Sequence, residues 1–306
     1  MRIILSSLFL IFILLPKANS QSDSDSLIFT NIKYAFGNYN ILDYYQISDD
    51  FKVLQLAPGE DRIFVEDVVT LIHGREALVK DTLEVEGFLR YVVPTGKNKF
   101  SISTGKTCVV VSVEDGRIEI LKTIKNSKKV NIGAIFDEGI LYYDPKAYRR
   151  SKISWMFKYN NGNEVELISS KKLKNWDDMK YPASGSTHER FIYYDNKIIL
   201  NSSIDDHITV FDISSGEIFN KPIPKDDEYG IHIVQDFKNL QPYLIKYQYT
   251  SDDNVELYKL FDFDMNNPFL VGKLDGLYPF SIYDKTFFSW TMFEGQMAIY
   301  KRKFNW

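Results

Sequence analysis

Residues 204–217 read IDDHITVFDISSGE, an apolar run that ends in an aspartate followed by serines and a glycine. The β-branched and aromatic residues at 208–211 favour an extended strand. Gly216 supplies the backbone freedom that a tight turn requires, and Ile218 resumes the apolar pattern. The stretch therefore predicts a β-hairpin that turns at residues 214–217.

Three other stretches repeat this pattern of two apolar runs around a polar, glycine-containing turn. Their turns are centred on Asp115-Gly116, on residues 160–163 and on residues 294–296. Only Asn175–Met179 is compatible with a short helical turn, and no longer stretch keeps an apolar period of 3.6 residues. These features predict an all-β chain.

The hairpins fall into units that recur along the chain. The units that we predict cover residues 51–82, 90–124, 130–169, 187–223, 229–274 and 277–304. A recurrence of about 30–45 residues, with room for four short strands in each unit, is typical of the blades of a β-propeller.

The hairpin at 204–217 resembles the outer hairpin of blades in WD-type and quinoprotein-type propeller repeats. The glycine–histidine and tryptophan–aspartate marks of true WD repeats are missing, so the resemblance is to a blade and not to one family. It implies a single β-propeller and carries no catalytic residue. We expect six blades, with seven as the alternative count and tandem β-sandwiches as the alternative fold. The strand-like segment Leu27–Ile47 is expected to close the ring by pairing with the last blade.

The first twenty residues have the features of a secretory signal peptide. Arg2 precedes the apolar run Ile3–Leu15, after which Pro16 and the small residues Ala18 and Ser20 follow. A membrane-spanning helix needs about 20 apolar residues, and this run is shorter. We therefore expect cleavage after residue 20 and export to an extracellular or periplasmic space.

Cleavage leaves a polar leader at 21–26 and one propeller domain at 27–306, which we expect to be a monomer. The full chain has 37 basic and 41 acidic residues, a formal charge of −4; without Arg2 and Lys17 the counts are 35 and 41, or −6. This balance argues against a dedicated nucleic-acid-binding protein, which needs a basic face. The 22 phenylalanines and 20 tyrosines argue against a disordered chain.

Motifs for cofactor binding and catalysis are weak. The segment STGKT at 103–107 lacks the glycine that a phosphate-binding loop has five positions before Gly105, where this chain has Phe100. We interpret the segment as a turn between strands. The histidines do not have the spacing of metal ligands. His207 lies beside Asp205 and Asp206 in a predicted turn. The four histidines are His73, His188, His207 and His232.

Cys108 lies in the apolar run TCVVV, so we expect a buried thiol and not a nucleophile. A single cysteine also excludes an internal disulfide framework and a metal site built from several cysteines. The sequence predicts no cofactor, no metal ligand and no catalytic residue.

Acidic and aromatic residues occur in adjacent groups. The acidic groups, which we interpret as solvated turns, are Asp49-Asp50, Asp177-Asp178, Asp205-Asp206, Asp226-Asp227-Glu228 and Asp252-Asp253. Adjacent residues of a strand point to opposite faces, so one ring of each aromatic pair is expected in the core. The aromatic pairs are Tyr44-Tyr45, Tyr142-Tyr143, Tyr193-Tyr194 and Phe287-Phe288.

One modification site and one function follow from these observations. Asn201-Ser202-Ser203 is a glycosylation sequon, which applies only if the source is a eukaryote. The hypothesis is an exported, non-enzymatic binding propeller that recognises a protein, peptide or glycan partner. The alternative is a glycan-directed hydrolase or lyase with two carboxylates in the central funnel of the ring.

Overall fold

The computed structural model describes strands and turns along most of the chain after residue 24. The described residues are 25–29, 39–58, 68–75, 78–144, 154–169, 189–202, 207–222, 229–248, 254–259, 269–275, 281–293 and 296–303. Within these ranges the backbone forms 24 β-strands and no helix, which confirms the all-β prediction.

The strands form six four-stranded antiparallel sheets, which we number in chain order. Sheet I contains β2 (Tyr39–Gln46), β3 (Phe51–Pro58), β4 (Val68–Arg75) and β5 (Leu78–Glu86). Sheet II contains β6 (Leu89–Gly96), β7 (Lys99–Thr104), β8 (Thr107–Glu114) and β9 (Arg117–Lys125). Sheet III contains β10 (Asn131–Ile135), β11 (Gly139–Tyr143), β12 (Ser154–Tyr159) and β13 (Glu164–Ser169).

The other three sheets follow the same order. Sheet IV contains β14 (Glu189–Tyr194), β15 (Lys197–Ser202), β16 (His207–Asp212) and β17 (Ile218–Pro222). Sheet V contains β18 (Tyr229–Gln235), β19 (Pro242–Gln248), β20 (Asn254–Lys259) and β21 (Phe269–Asp275). Sheet VI contains β22 (Ser281–Tyr283), β23 (Thr286–Phe293) and β24 (Gln296–Lys303), with β1 (Asp25–Phe29) as its fourth strand.

The first strand of the chain closes the last sheet. β1 pairs antiparallel with β24, and Asp25 lies opposite Arg302 while Phe29 lies opposite Ala298. This pairing joins the N-terminal and C-terminal parts of the chain and covers the free edge of β24. The predicted closure by an N-terminal strand is confirmed.

Each sheet contacts the next one along the chain, and sheet VI returns to contact sheet I. A ring of small antiparallel sheets of this kind is a β-propeller, as the resemblance implied, and not a pair of β-sandwiches. The first strand of each sheet is the innermost one, since it contacts the first strands of neighbouring sheets at four of the boundaries.

Hydrogen bonds cross all six boundaries between sheets. They run from Ile118 N–H to Asp81 Oδ2 (3.2 Å), from Ile135 N–H to Ser101 Oγ (3.0 Å), from Tyr159 O–H to the Ile213 carbonyl (3.0 Å), from Gln235 Nε2 to the Tyr193 carbonyl (2.6 Å), from Lys285 N–H to Asp236 Oδ2 (2.9 Å) and from Gln46 N–H to Ser281 Oγ (3.0 Å).

Apolar side chains fill the spaces between neighbouring sheets. Trp155 and Phe157 of β12 are fully buried among residues of sheets II, III and IV. A second cluster joins sheets I and II, and it includes Val53, Val111 and Ile102, each with no exposed surface. Burial on both faces of a blade explains why strands such as β8 are nearly continuously apolar.

The four predicted hairpins are confirmed as β8–β9, β12–β13, β16–β17 and β23–β24. The first strand of the fourth hairpin, β23, begins at Thr286, after a separate turn. Asp284 and Lys285 have φ values of 50° and 58° and form their own turn between β22 and β23. Such paired positive φ values are typical of two-residue hairpin turns.

The first predicted unit was wrong at its start. Residues 27–47 are not one closing segment, since β1 joins sheet VI while β2 is the inner strand of sheet I. β2 pairs with β3 across the turn at Asp49-Asp50, so the first sheet begins at Tyr39 and not at residue 51. The predicted signal peptide at 1–20 and the helical turn at Asn175–Met179 lie outside the described residues.

Candidate functional site

A small pocket lies at the centre of the ring, between inner strands. Its volume is about 60 Å³, which is room for about four or five water molecules. Five of the six sheets contribute to it, and the described lining contains no residue of β10. The lining residues are Tyr45, Arg90, Tyr91, Val92, Val93, Phe191, Ile192, Ile233, Val234, Gln235, Phe237 and Ser281.

Arg90, one of the lining residues, lies at a β-bulge in β6. Leu89 pairs with Thr104 and Tyr91 pairs with Ser103, so Arg90 is an extra residue without a partner on β7. An extra residue of this kind bends the strand and changes the direction of its side chain, and such bulges are frequent beside functional sites. The irregularity places a cation in an otherwise apolar inner strand.

Arg90 is held by a tyrosine of the adjacent sheet III. Its Nη1 donates a hydrogen bond to Tyr143 Oη, and its guanidinium carbon lies 5.9 Å from the centre of the same ring. Asn131 Nδ2 donates to Tyr143 Oη as well, at 3.3 Å. Within the described residues Arg90 has no carboxylate partner, so no described carboxylate neutralises its positive charge.

Two aromatic rings, Tyr91 and Phe191, line one wall of the pocket, and Trp155 packs against both. The centroid of Tyr91 is 5.0 Å from that of Phe191, and Trp155 lies 5.8 Å from the first and 5.3 Å from the second. Tyr91 and Phe191 belong to sheets II and IV, so they meet in front of sheet III. Gly133 permits this approach, because a Cβ built there would lie 2.6 Å from Trp155 Cζ3.

The opposite wall depends on the turn between β18 and β19. Gln235 donates from Nε2 to the carbonyls of Tyr193 and Leu240, at 2.6 and 2.9 Å. Asp236 has no exposed surface, and its carboxylate accepts hydrogen bonds from the N–H groups of Lys238, Asp284 and Lys285. These bonds fix the pocket residues Gln235 and Phe237 against sheet VI.

The pKa of Tyr283, a tyrosine beside this turn, is raised. Burial, and then the negative charge of Asp49, raise the pKa of Tyr283 to about 12. Its ring lies 5.8 Å from Lys238 Nζ, and Lys238 forms a 3.0 Å ion pair with Asp284. The phenol is therefore neutral at physiological pH.

Chemically, the described lining combines aromatic and aliphatic surface with one cation. It has the groups to hold an apolar moiety against Tyr91 and Phe191 and a negative group against Arg90. Asp and Glu are absent from the residues that the structure places around the pocket.

The predicted turn at 103–107 is confirmed, since β7 ends at Thr104 and β8 begins at Thr107. Thr104 Oγ1 accepts hydrogen bonds from the N–H groups of Lys106 and Thr107, at 3.1 and 3.0 Å. Cys108 is buried as predicted, with Ser101 Oγ 3.3 Å from its sulfur. Burial raises the pKa of the Cys108 thiol to about 12.

The structure describes no histidine side chain, so the histidines are placed by their backbone alone. The prediction that His207 lies in a turn was wrong. His207 begins β16 and lies opposite Pro222, because the strand starts one residue before its apolar run. The backbones of His73 and His232 lie in β4 and β18, while the side chains of all three and the whole of His188 are outside the description. No group of three or more His, Cys, Asp or Glu in the described ranges is placed to hold a metal ion.

Of the acidic groups, Asp49-Asp50 forms the exposed turn that was predicted, and the other four lie outside the described residues. The prediction of a core ring is confirmed for Phe287-Phe288, where both rings are buried, at 1% and 8% exposed. β23 is a central strand of a blade that is packed on both faces, so both rings are buried. In the pair Tyr142-Tyr143, the second ring is buried and the first is half-buried.

Asn201 lies in β15, where its backbone pairs with Arg190 on one side and Ile208 on the other. Its glycosylation stays a prediction. No helix in the described ranges has the length and apolar character that a bilayer span requires.

Sequence reasoning missed Arg90, Gln235 and Asp236. Each is a polar residue in or directly after an apolar inner strand, and that was the available signal. The bulge at Arg90 and the contact of Asp236 with sheet VI depend on pairing between strands, which the sequence does not display.

No protein-family model matches the chain, and no curated protein matches it at a significant level. Among solved structures, the luciferin-regenerating enzyme aligns with a TM-score of 0.50 and 8% identity over 91% of this chain and 95% of that one. This likeness is one of fold.

Two further structures align less well. The β-propeller domain of Swd1 from Myceliophteria thermophila has a TM-score of 0.42 and 12% identity, over 86% of this chain and 99% of that one. A chain of the S. cerevisiae core factor has a TM-score of 0.43 and 11% identity over 90% of this chain, which spans 60% of that chain's length.

Proposed function

We propose that this protein is an exported, non-enzymatic binding propeller that captures a protein, peptide or glycan partner at the centre of its ring. The observation that carries the proposal is the central pocket, whose lining includes aromatic rings from two sheets and a bulged arginine without a carboxylate partner among the described residues. Export rests on the N-terminal sequence, Arg2 followed by the apolar run Ile3–Leu15.

The pocket is suited to a partner group that carries negative charge beside apolar surface. Because Arg90 is held by Tyr143 and the strand bulge, its guanidinium needs little ordering when a ligand binds. A carboxylate can accept two parallel hydrogen bonds from a guanidinium. An acidic peptide side chain or an acidic sugar would supply that group.

We also infer that all six sheets act as blades of one ring. The support is a hydrogen bond across each of six boundaries between consecutive sheets. Only five sheets reach the central pocket, because Tyr91 and Phe191 meet in front of β10. The ring is then an asymmetric one, with sheet III set back from its axis.

The test is a binding screen of the chain from residue 21 onward against glycan and peptide arrays. We expect hits that carry a carboxylate or another anion, and we expect Arg90→Gln to weaken them by about tenfold, the loss typical of a charged hydrogen bond. Arg117→Gln is the matched control, since Arg117 is an exposed arginine of the same sheet. Equal losses in both variants would contradict the proposed site.

The alternative function, a glycan-directed hydrolase or lyase, is tested with the same material. A panel of glycan substrates is incubated with the protein, and product release is measured. Turnover that a single Asp→Asn or Glu→Gln change abolishes would replace the binding proposal with the enzyme.

A further inference from the structure

The outer strand of sheet II carries a second candidate surface, distant in the fold from the central pocket. Residues 120–130 read ILKTIKNSKKV, which we call the basic strip. It contains four lysines, Lys122, Lys125, Lys128 and Lys129, and no acidic residue, in a chain whose formal charge is −4. All four lysines are exposed.

These four lysines differ from other lysines of the described structure. Lys99, Lys106, Lys158, Lys197 and Lys238 each form an ion pair with a carboxylate. None of the strip lysines forms an ion pair with any described residue. Four cations close together without counter-ions repel one another, and a partner with negative charge would relieve that repulsion.

Exposed apolar surface lies beside the lysines. Val111 pairs with Ile120 and Val110 pairs with Lys122, so Leu121 is the extra residue of a bulge. The bulge turns two consecutive apolar side chains toward solvent, and Ile120 and Leu121 are 44% and 49% exposed. No other large apolar residue whose side chain the structure describes is more than 40% exposed.

The strip is held rigidly at its C-terminal end. Asn126 donates from Nδ2 to the Thr104 carbonyl at 2.9 Å and accepts from Ile132 N–H at 2.9 Å. Ser127 Oγ accepts from the N–H groups of Lys129 and Val130, at 3.2 and 3.0 Å. A surface that is ordered before binding loses less entropy when a partner docks.

Lysines and bulges on an outer strand also serve to prevent edge-to-edge pairing. They therefore disfavour a second copy of this chain as the occupant, because two strips would bring like charges together. We propose that the basic strip docks an acidic segment of another protein that runs along the outer edge of β9. The register places Lys122 and Lys125 on opposite faces of this strand, so carboxylates on both sides of the segment would reach them, with an apolar side chain on Ile120 and Leu121. This interaction is independent of the central pocket.

The probe is a fluorescein-labelled synthetic peptide that alternates glutamate with leucine, and binding is measured by fluorescence polarisation at low and high salt. We expect the double variant Lys122→Glu/Lys125→Glu to weaken binding by about tenfold or more. The matched control, Lys80→Glu/Lys97→Glu, makes the same charge change at two exposed lysines elsewhere, and we expect a change below about twofold.

A second pair of variants tests the apolar part. Leu121→Ser is expected to weaken peptide binding, whereas Phe219→Ser, at the exposed residue of outer strand β17, is not. Equal effects of strip and control variants, or no peptide binding at low salt, would overturn the proposal. Heparin binding that depends on the strip without peptide binding would assign the surface to an anionic polysaccharide instead. Loss of peptide binding in Arg90→Gln, with the strip variants unchanged, would place the peptide in the central pocket and would also overturn the proposal.

Discussion

The buried carboxylate of Asp236 accepts a hydrogen bond from the backbone N–H of Lys285, at 2.9 Å, across the boundary between sheets V and VI. The same carboxylate also accepts from the N–H groups of Lys238 and Asp284, at 2.9 and 3.0 Å. One side chain thus satisfies three backbone donors from two turns. Since Gln235 and Phe237 flank Asp236 and line the pocket, this contact ties the shape of the pocket to the closure of the ring.

Removing this carboxylate should destabilise the protein. Asp236→Ala leaves three backbone N–H groups without their acceptor, and we expect the free energy of unfolding to fall by about 2–4 kcal/mol. Asp236→Asn keeps one acceptor oxygen, so its free energy of unfolding should lie between those of Asp236→Ala and the wild type. The measurement is urea unfolding followed by circular dichroism. Asp137→Ala, at an exposed ion pair with Lys99, is the control and should cost less than about 1 kcal/mol; a similar loss there would contradict the account.

Gly133 should be irreplaceable even by alanine. A Cβ at this position would lie 2.6 and 2.9 Å from ring atoms of Trp155 and 3.2 Å from Phe191. We expect Gly133→Ala to displace both rings, to lower stability by about 1–3 kcal/mol and to alter tryptophan emission. Gly105→Ala is the control, because its nearest neighbour would be Arg90 at 3.9 Å. Unchanged melting and emission in Gly133→Ala would show that these rings are not packed as described.

Stability at alkaline pH should depend on Tyr283. The pKa of Tyr283 is raised to about 12 in the folded protein, against about 10 in an unfolded chain. Between these values the unfolded state loses a proton that the folded state keeps, so unfolding becomes more favourable as the pH rises from about 10 to 12. Tyr283→Phe removes this contribution, and its stability should fall less steeply over that window. Parallel stability curves for the two proteins, from urea titrations at several pH values, would refute the assignment.

Much of the fold could be predicted because hairpin turns are local signals. Asp115-Gly116 and residues 214–217 have turn residues that fix where one strand ends and the next begins, whatever the rest of the chain does. The recurrence of these turns then indicated blades. The division of residues 27–47 between two sheets could not be predicted, since both parts are strand-like and only pairing across the whole chain separates β1 from β2.

The candidate site was less accessible to prediction for a related reason. Arg90 lies at a bulge beside the pocket, and Phe287 and Phe288 are both buried. Alternation within one strand predicts neither feature, because it assumes regular pairing and one solvent-facing side. The lining of the pocket therefore depends on contacts between blades, whereas the hairpins within each blade follow from the local sequence pattern.

The single thiol offers a measure of how tightly sheet II is packed. Burial raises the pKa of Cys108 to about 12, so its thiolate fraction at pH 8 is roughly three orders of magnitude below that of a free cysteine. We expect the native protein not to react with Ellman's reagent at pH 8 and the guanidinium-unfolded protein to release one thiolate equivalent per chain. Thr123→Cys, at an exposed residue of β9, is the control and should react within the mixing period, which shows that reagent and buffer are competent. Because Cys108 lies between β7 and β9 and against sheet III, rapid reaction of the native wild type would mean that this blade opens in solution, and the rigid support required of both proposed binding surfaces would be lost.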